Sequence, residues 1–147
     1  MEYLEEFDKL KTKVLKYILF KKRTEQEVRQ KFIKDSGDLL EDVIEELKQL
    51  NYINDNEYIK KAVKEFQNLK NMSIKEIEYK LMTKGIKKDI INNYIYDNKD
   101  DLITYEIKSA KNILIKKQNL LEQEEIINNL KKKGYLEESI KIACEDI

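Results

Sequence analysis

The chain repeats itself. Val28 and Phe32, Ile77 and Leu81, and Ile126 and Leu130 follow one another at steps of 49 residues, each pair preceded by a glutamate, Glu27, Glu76 or Glu125. Gly85 and Gly134 come after them at the same step, with Ser36-Gly37 at the corresponding place in the first copy. Upstream, Val14, Ala62 and Ala110, and Ile18, Phe66 and Leu114, align at steps of 48. A period of this size divides 147 residues into three units, 1–50, 51–99 and 100–147. Units so short bury little alone, and such chains gain stability by stacking each unit on the next.

Each unit reads as three helices. In the first, Phe7, Leu10, Val14 and Ile18 mark an apolar stripe at helical spacing. Thr24-Glu25-Gln26-Glu27 is a capping box ahead of Val28 and Phe32. Ser36-Gly37-Asp38 breaks that helix, and Leu40, Val43, Ile44 and Leu47 line the third. In the middle unit Asp55 is the expected N-cap before Tyr58, Ala62, Phe66 and Leu69. Ser73-Ile74-Lys75-Glu76 is a second capping box, Gly85 closes its helix, and Ile90, Ile91, Tyr94 and Ile95 face inward on the next. The last unit carries Ile103, Ile107, Ala110 and Leu114, then a cap from Asn119 to Glu122, then Ile140, Ala143, Cys144 and Ile147. Residues 68–72 and 96–100 are the expected linkers. There is no Pro, which fits helices nearly end to end. The expected fold class is all-α, with three tandem three-helix repeats forming an elongated, curved helical-repeat protein.

Composition removes most catalytic chemistries. Without His there is no Ser-His-Asp triad, no Cys-His pair and no HExxH zinc helix. Three scattered Gly make no phosphate-cradling loop, and one Cys makes neither an internal disulfide nor a thiolate zinc site. Asn54-Asp55-Asn56-Glu57 is too short for a calcium loop and reads as a cap. No enzyme activity, metal or cofactor is expected. Most aromatics, Phe7, Phe32, Tyr58, Phe66 and Tyr94, fall on core stripes, and Tyr52 and Tyr135 read as packing staples before the next helix. No run approaches the roughly 20 apolar residues of a membrane span, so a cytoplasmic monomer is expected.

Net charge is zero, from 29 basic and 29 acidic residues, but the cations are segregated. Residues 9–23 hold Lys9, Lys11, Lys13, Lys16, Lys21, Lys22 and Arg23 with no acid. Residues 79–88 hold Lys80, Lys84, Lys87 and Lys88, and residues 107–117 hold Lys108, Lys111, Lys116 and Lys117, again without acid. The candidate partner-binding set is Lys16, Lys21, Lys22 and Arg23, then Lys80, Lys84, Lys87 and Lys88, then Lys108 and Lys111. Arg29, Lys60 and Lys64 complete it. Such strips suit an acidic protein surface or nucleic acid, against the plainer reading of a solvated helix face.

Four segments resemble the RecX family of regulators of the recombinase RecA: RTEQEVRQKF at 23–32, LNYINDNEY at 50–58, IEYKLMTKGI at 77–86 and KGYLEESI at 133–140. Their order and spacing agree with the threefold repeat. The resemblance implies tandem three-helix repeats and binding within the groove of the RecA nucleoprotein filament. It implies restraint of filament growth, ATP hydrolysis and strand exchange, in recombination, DNA repair and the SOS response, without catalysis. The chain departs from the family pattern at Asn51 and Asn71-Met72, where the family has Gly, and in using Lys where the family has Arg. The alternative reading is a helical-repeat protein that binds nucleic acid directly through its Lys-rich faces, and a weak direct DNA contact is compatible with both.

Overall fold

The computed structural model of the chain describes residues 2–35 and 37–147, and they are all-helical. Ser36, expected to help break the second helix, lies outside the described residues. Nine α-helices are present among the described residues: α1 Glu2–Phe20, α2 Glu25–Lys31, α3 Gly37–Gln49, α4 Asp55–Leu69, α5 Ile74–Thr83, α6 Lys88–Asp97, α7 Lys99–Lys117, α8 Gln123–Lys132 and α9 Glu137–Glu145. A 3-10 turn, Ile33–Asp35, follows α2.

Apolar spacing builds three core clusters. Leu10, Val14 and Ile18 of α1 meet Val28, Phe32 and the α3 stripe of Leu40, Val43, Ile44 and Leu47. Ile59, Val63, Ile77, Leu81 and Ile91 form the second cluster, which Leu102 and Tyr105 of α7 complete. Ala110 and Leu114, from the other end of α7, meet Ile126, Leu130, Ile140 and Ala143 in the third. The helix α7 thus serves two cores and packs along α9.

Several expectations are corrected in register. On α4 the fully buried residues are Ile59 and Val63, whereas Tyr58, Ala62 and Phe66 are half-buried and Leu69 is exposed. Tyr58, Ala62 and Phe66 flank that stripe and pack against the same core. The expected N-cap is also one position late: Asn54 caps α4, its side chain accepting the Glu57 N–H, and Asp55 is already helical. On α7 the structure buries Leu102, Tyr105, Glu106 and Ser109 ahead of Ile103 and Ile107. Asn119 caps nothing: α8 begins after Glu122, with no side-chain cap bond. Ile147 is exposed and Cys144 only half-buried, because α9 ends at Glu145. Tyr52 is exposed, while Tyr135 is buried and shares a 2.6 Å hydrogen bond with Ser109. The expected linkers are shorter, since α4 runs to Leu69 and only Asn98 separates α6 from α7.

Both capping boxes form. Asn51 takes the left-handed conformation, φ 67°, which Asn tolerates better than most residues. Lys70, φ 50°, takes the same conformation at the other end of α4, one residue before Asn71.

Candidate functional site: lysine clefts at the helical joints

The joints between units are built twice from the same parts. At the first, the Thr24 hydroxyl donates to the Lys84 carbonyl at 2.7 Å. At the second, the Ser73 hydroxyl donates to the Lys133 carbonyl, also at 2.7 Å. Both hydroxyls are fully buried N-caps, so each serves its own helix and the end of a helix in the next unit. Gly85 and Gly134 follow those carbonyls with φ of +80° and +91°. A Cβ on Gly85 would lie 2.4 Å from Gln26, and one on Gly134 would lie 2.9 Å from Lys75, so glycine is what lets the units approach.

A carboxylate reinforces each joint. The Glu25 N–H donates to Asp55 at 3.0 Å. At the second joint fully buried Glu106 accepts from the Ile74 N–H at 2.8 Å and the Leu136 N–H at 2.9 Å. The Tyr105 hydroxyl donates to the Met72 carbonyl at 2.7 Å and fixes the turn before Ser73.

The candidate cations divide. Arg29 is a structural residue: its guanidinium grips Glu41 through two 2.9 Å bonds and Glu25 through one of 3.0 Å. Burial pushes the Glu25 carboxyl up, but bonds from Lys48 and Arg29 outweigh it and hold the group below its ordinary value. Burial raises Asp55 above its ordinary value, against the N–H of Glu25. Arg23 stacks 4.1 Å over the Tyr17 ring, with Lys31 5.7 Å over the same ring. Lys60 pairs with Glu57, Lys84 stands 3.9 Å from Glu27, and Lys111 pairs with Asp146 at 2.6 Å. Lys16, Lys21, Lys22, Lys64, Lys80, Lys87, Lys88 and Lys108 are exposed and form no ion pair among the described residues.

Three clefts collect Lys21, Lys22, Lys80 and Lys108 of these. Lys21 and Lys22 meet Lys61 beside Tyr58 and Glu65. Lys108 meets Lys70 beside Asp101 and Tyr105. Lys80 meets Lys75, Lys132 and Lys133 around Tyr79 in a cleft of ≈ 290 Å³. Lys16, Lys60, Lys64, Lys87 and Lys88 line none of the three. Sequence reading missed Lys61, Lys70, Lys75, Lys132 and Lys133. The run Lys131-Lys132-Lys133 before Gly134 is visible in the sequence, but its neighbours across the joint come from α5, in the preceding unit. An apolar groove of ≈ 400 Å³ also lies at the second joint, lined by Ile74, Ile95, Tyr96, Leu102, Ile103 and Leu136 among others. Among the described residues no group of three or more Cys, Asp or Glu is placed to hold a metal ion, and no helix is long and apolar enough to cross a membrane.

Fold and surface together define an all-helical protein with lysine-lined clefts at the joints between helical units. No family model matches the chain. It is 30% identical to a regulatory protein RecX of Lactococcus lactis, over 100% of this chain and 59% of that protein. It is 36% identical to a regulatory protein RecX of Clostridium beijerinckii, over 76% of this chain and 54% of that protein. The chain therefore spans little more than half the length of the relatives it matches. The crystal structure of RecX from Lactobacillus salivarius superposes with a TM-score of 0.81, at 23% identity and 97% coverage of both chains. The chain belongs to the RecX family of regulatory proteins.

Proposed function

We propose that this chain is a non-catalytic regulator that binds the RecA–DNA filament and restrains filament growth, ATP hydrolysis and strand exchange. Its units are the segments 1–50, 51–99 and 100–147, acting as one elongated monomer in the cytoplasm. Family membership supplies the partner. The observation that carries the reading is the placing of unpaired lysines in clefts at both joints, on a chain whose net charge is zero. A filament groove with DNA phosphates running along it is an acidic track, and lysines along a stack of helices meet such a track at several points. Each exposed contact is weak, about 1 kcal/mol or less, so affinity comes from their number. A weak direct DNA contact belongs to the same reading.

The test is ATP hydrolysis by the RecA of the same organism on single-stranded DNA, with and without this protein. Inhibition is expected at amounts too small to coat the DNA. Inhibition that appears only when the DNA is saturated with this protein assigns it to direct nucleic-acid binding, and no inhibition at any ratio overturns the regulator reading.

A further inference from the structure

The two joints share one frame but differ in charge. Every residue around Tyr79 has a counterpart 49 positions earlier at the first joint. Gln26 stands where the second joint has Lys75, Gln30 where it has Tyr79, Thr83 where it has Lys132, and Lys84 where it has Lys133. The hydroxyl-to-carbonyl bond and the left-handed glycine are present at both. The frame is thus made without Lys75, Tyr79 and Lys132, and those side chains do not owe their presence to the joint.

At the second joint Lys75, Lys80, Lys132 and Lys133 line a single cleft. The one acid lining it, Glu76, already accepts the Ser73 N–H in its capping box. Lys133 makes one long bond, 3.3 Å, to the Asn71 carbonyl, and none of the four forms an ion pair among the described residues. Tyr79 stands among them 68% exposed. At the first joint Lys84 lies near Glu27, and Lys31 is drawn over Tyr17. Excess positive charge and an exposed ring therefore coincide at one joint only.

We infer that the cleft around Tyr79 is a single-stranded nucleic-acid subsite, in which Lys75, Lys80, Lys132 and Lys133 hold successive phosphates and the Tyr79 ring stacks on a base. Lysine is a point charge that follows a phosphate backbone without demanding one geometry, and the arginine fork that grips a single carboxylate or phosphate is absent from the lining of this cleft. Both arginines of the chain are engaged elsewhere, on Glu25 and Glu41 and on Tyr17. A flat exposed ring adds nothing to a phosphate contact but suits an unpaired base, and a duplex presents none.

This inference rests on the filament reading for the source of the strand, but its test uses bare strand and no RecA. Binding of the full chain to a fluorescent oligo-dT is followed by anisotropy as salt is raised. Tyr79→Ala is expected to weaken binding about tenfold and Tyr79→Phe to leave it within about twofold, as stacking requires. An abasic oligomer of equal length is expected to bind the parent about as weakly as oligo-dT binds Tyr79→Ala. Replacing Lys75, Lys132 and Lys133 by Gln together is expected to lower the log–log salt slope by about 2, at roughly 0.7 for each phosphate no longer neutralised. Lys31→Gln is the matched control at the first joint, 49 positions before Lys80, and is expected to change little. Equal weakening from that control, equal binding of the abasic strand, or competition by oligoglutamate as strong as by oligo-dT overturns the subsite. Circular dichroism of each variant checks the fold. Strand binding that behaves as expected beside an absence of RecA inhibition leaves the subsite standing and removes the filament reading; the converse result removes the subsite alone.

Discussion

Glu106 is the one charged residue buried from solvent among the described residues. It is fully buried, and its two oxygens accept N–H groups from the starts of α5 and α9, so it joins the second and third units. Replacing it by Leu leaves two N–H groups without acceptors, at about 1–3 kcal/mol each. Glu106→Leu is expected to lose about 2–5 kcal/mol in urea unfolding, and a loss below about 1 kcal/mol would mean that water or a shift of α5 replaces the carboxylate. The glycines allow a sharper comparison. Gly37 and Gly85 both have left-handed φ, but a Cβ on Gly37 meets nothing within 4 Å while one on Gly85 runs into Gln26. Gly37→Ala is expected to cost roughly 1 kcal/mol, the conformational penalty alone. Gly85→Ala is expected to cost clearly more, because the joint must open. Equal costs measured by chemical denaturation would show that the packing at Gly85 is slack.

At the scale of the helix, the ion network of α2 and α3 gives the first unit an acid sensitivity. Arg29 holds Glu41 below its ordinary value, and Lys48 with Arg29 holds Glu25 below its own despite burial. A carboxylate depressed in the folded state adds stability above its unfolded value, and that stability is lost as pH falls through the folded one. Asp55, raised by burial, slopes the other way. Arg29→Gln is therefore expected to be less stable than the parent near pH 7, with the gap narrowing as pH falls below about 4.5. A gap that stays constant with pH, measured by urea unfolding, would assign the role of Arg29 to packing. The sequence made α2 and α5 legible because Thr24-to-Glu27 and Ser73-to-Glu76 are local devices that need no partner to be recognised. The same holds for α1 and α3, whose expected stripes are the buried ones, with Phe7 half-buried at the edge. It failed on α4, where Ile59 and Val63 are buried more fully than Tyr58, Ala62 and Phe66 in the same core, and on α7, where Leu102 and Tyr105 close the core of the preceding unit. Nothing local distinguishes Glu106 from Asp100 or Asp101, and only the arrival of α5 and α9 makes it interior. The basic clefts were half legible for the same reason: runs on one helix show in a sequence, and lysines meeting across a joint do not.

Across the whole molecule, the three cores do not divide at the boundaries of the repeat. Ile53, which follows the first unit, is buried in the first core, and Leu102 and Tyr105, which open the third, are buried in the second. Each unit borrows its closing residues from the next, so stability belongs to neighbouring pairs more than to single units. Truncation tests this directly. A chain ending at Asn98 keeps all of α4 to α6 but loses Leu102, the Tyr105 hydroxyl on Met72 and the Glu106 carboxylate on Ile74. A chain ending at Lys117 keeps all three, but exposes Ala110 and Leu114 on the part of α7 that faces the third core and loses the Lys133 and Leu136 partners of Ser73 and Glu106. The longer fragment is expected to unfold at higher urea concentration and with a steeper transition, although its added helix leaves apolar surface uncovered. If the chain ending at Asn98 unfolds as sharply and as late as the one ending at Lys117, the middle unit closes its own core and the joints are contacts between finished domains. In the expected order, the lysine clefts sit at the places where the fold is least able to move. The backbone that carries their lysines is then held at fixed spacing by the joints themselves.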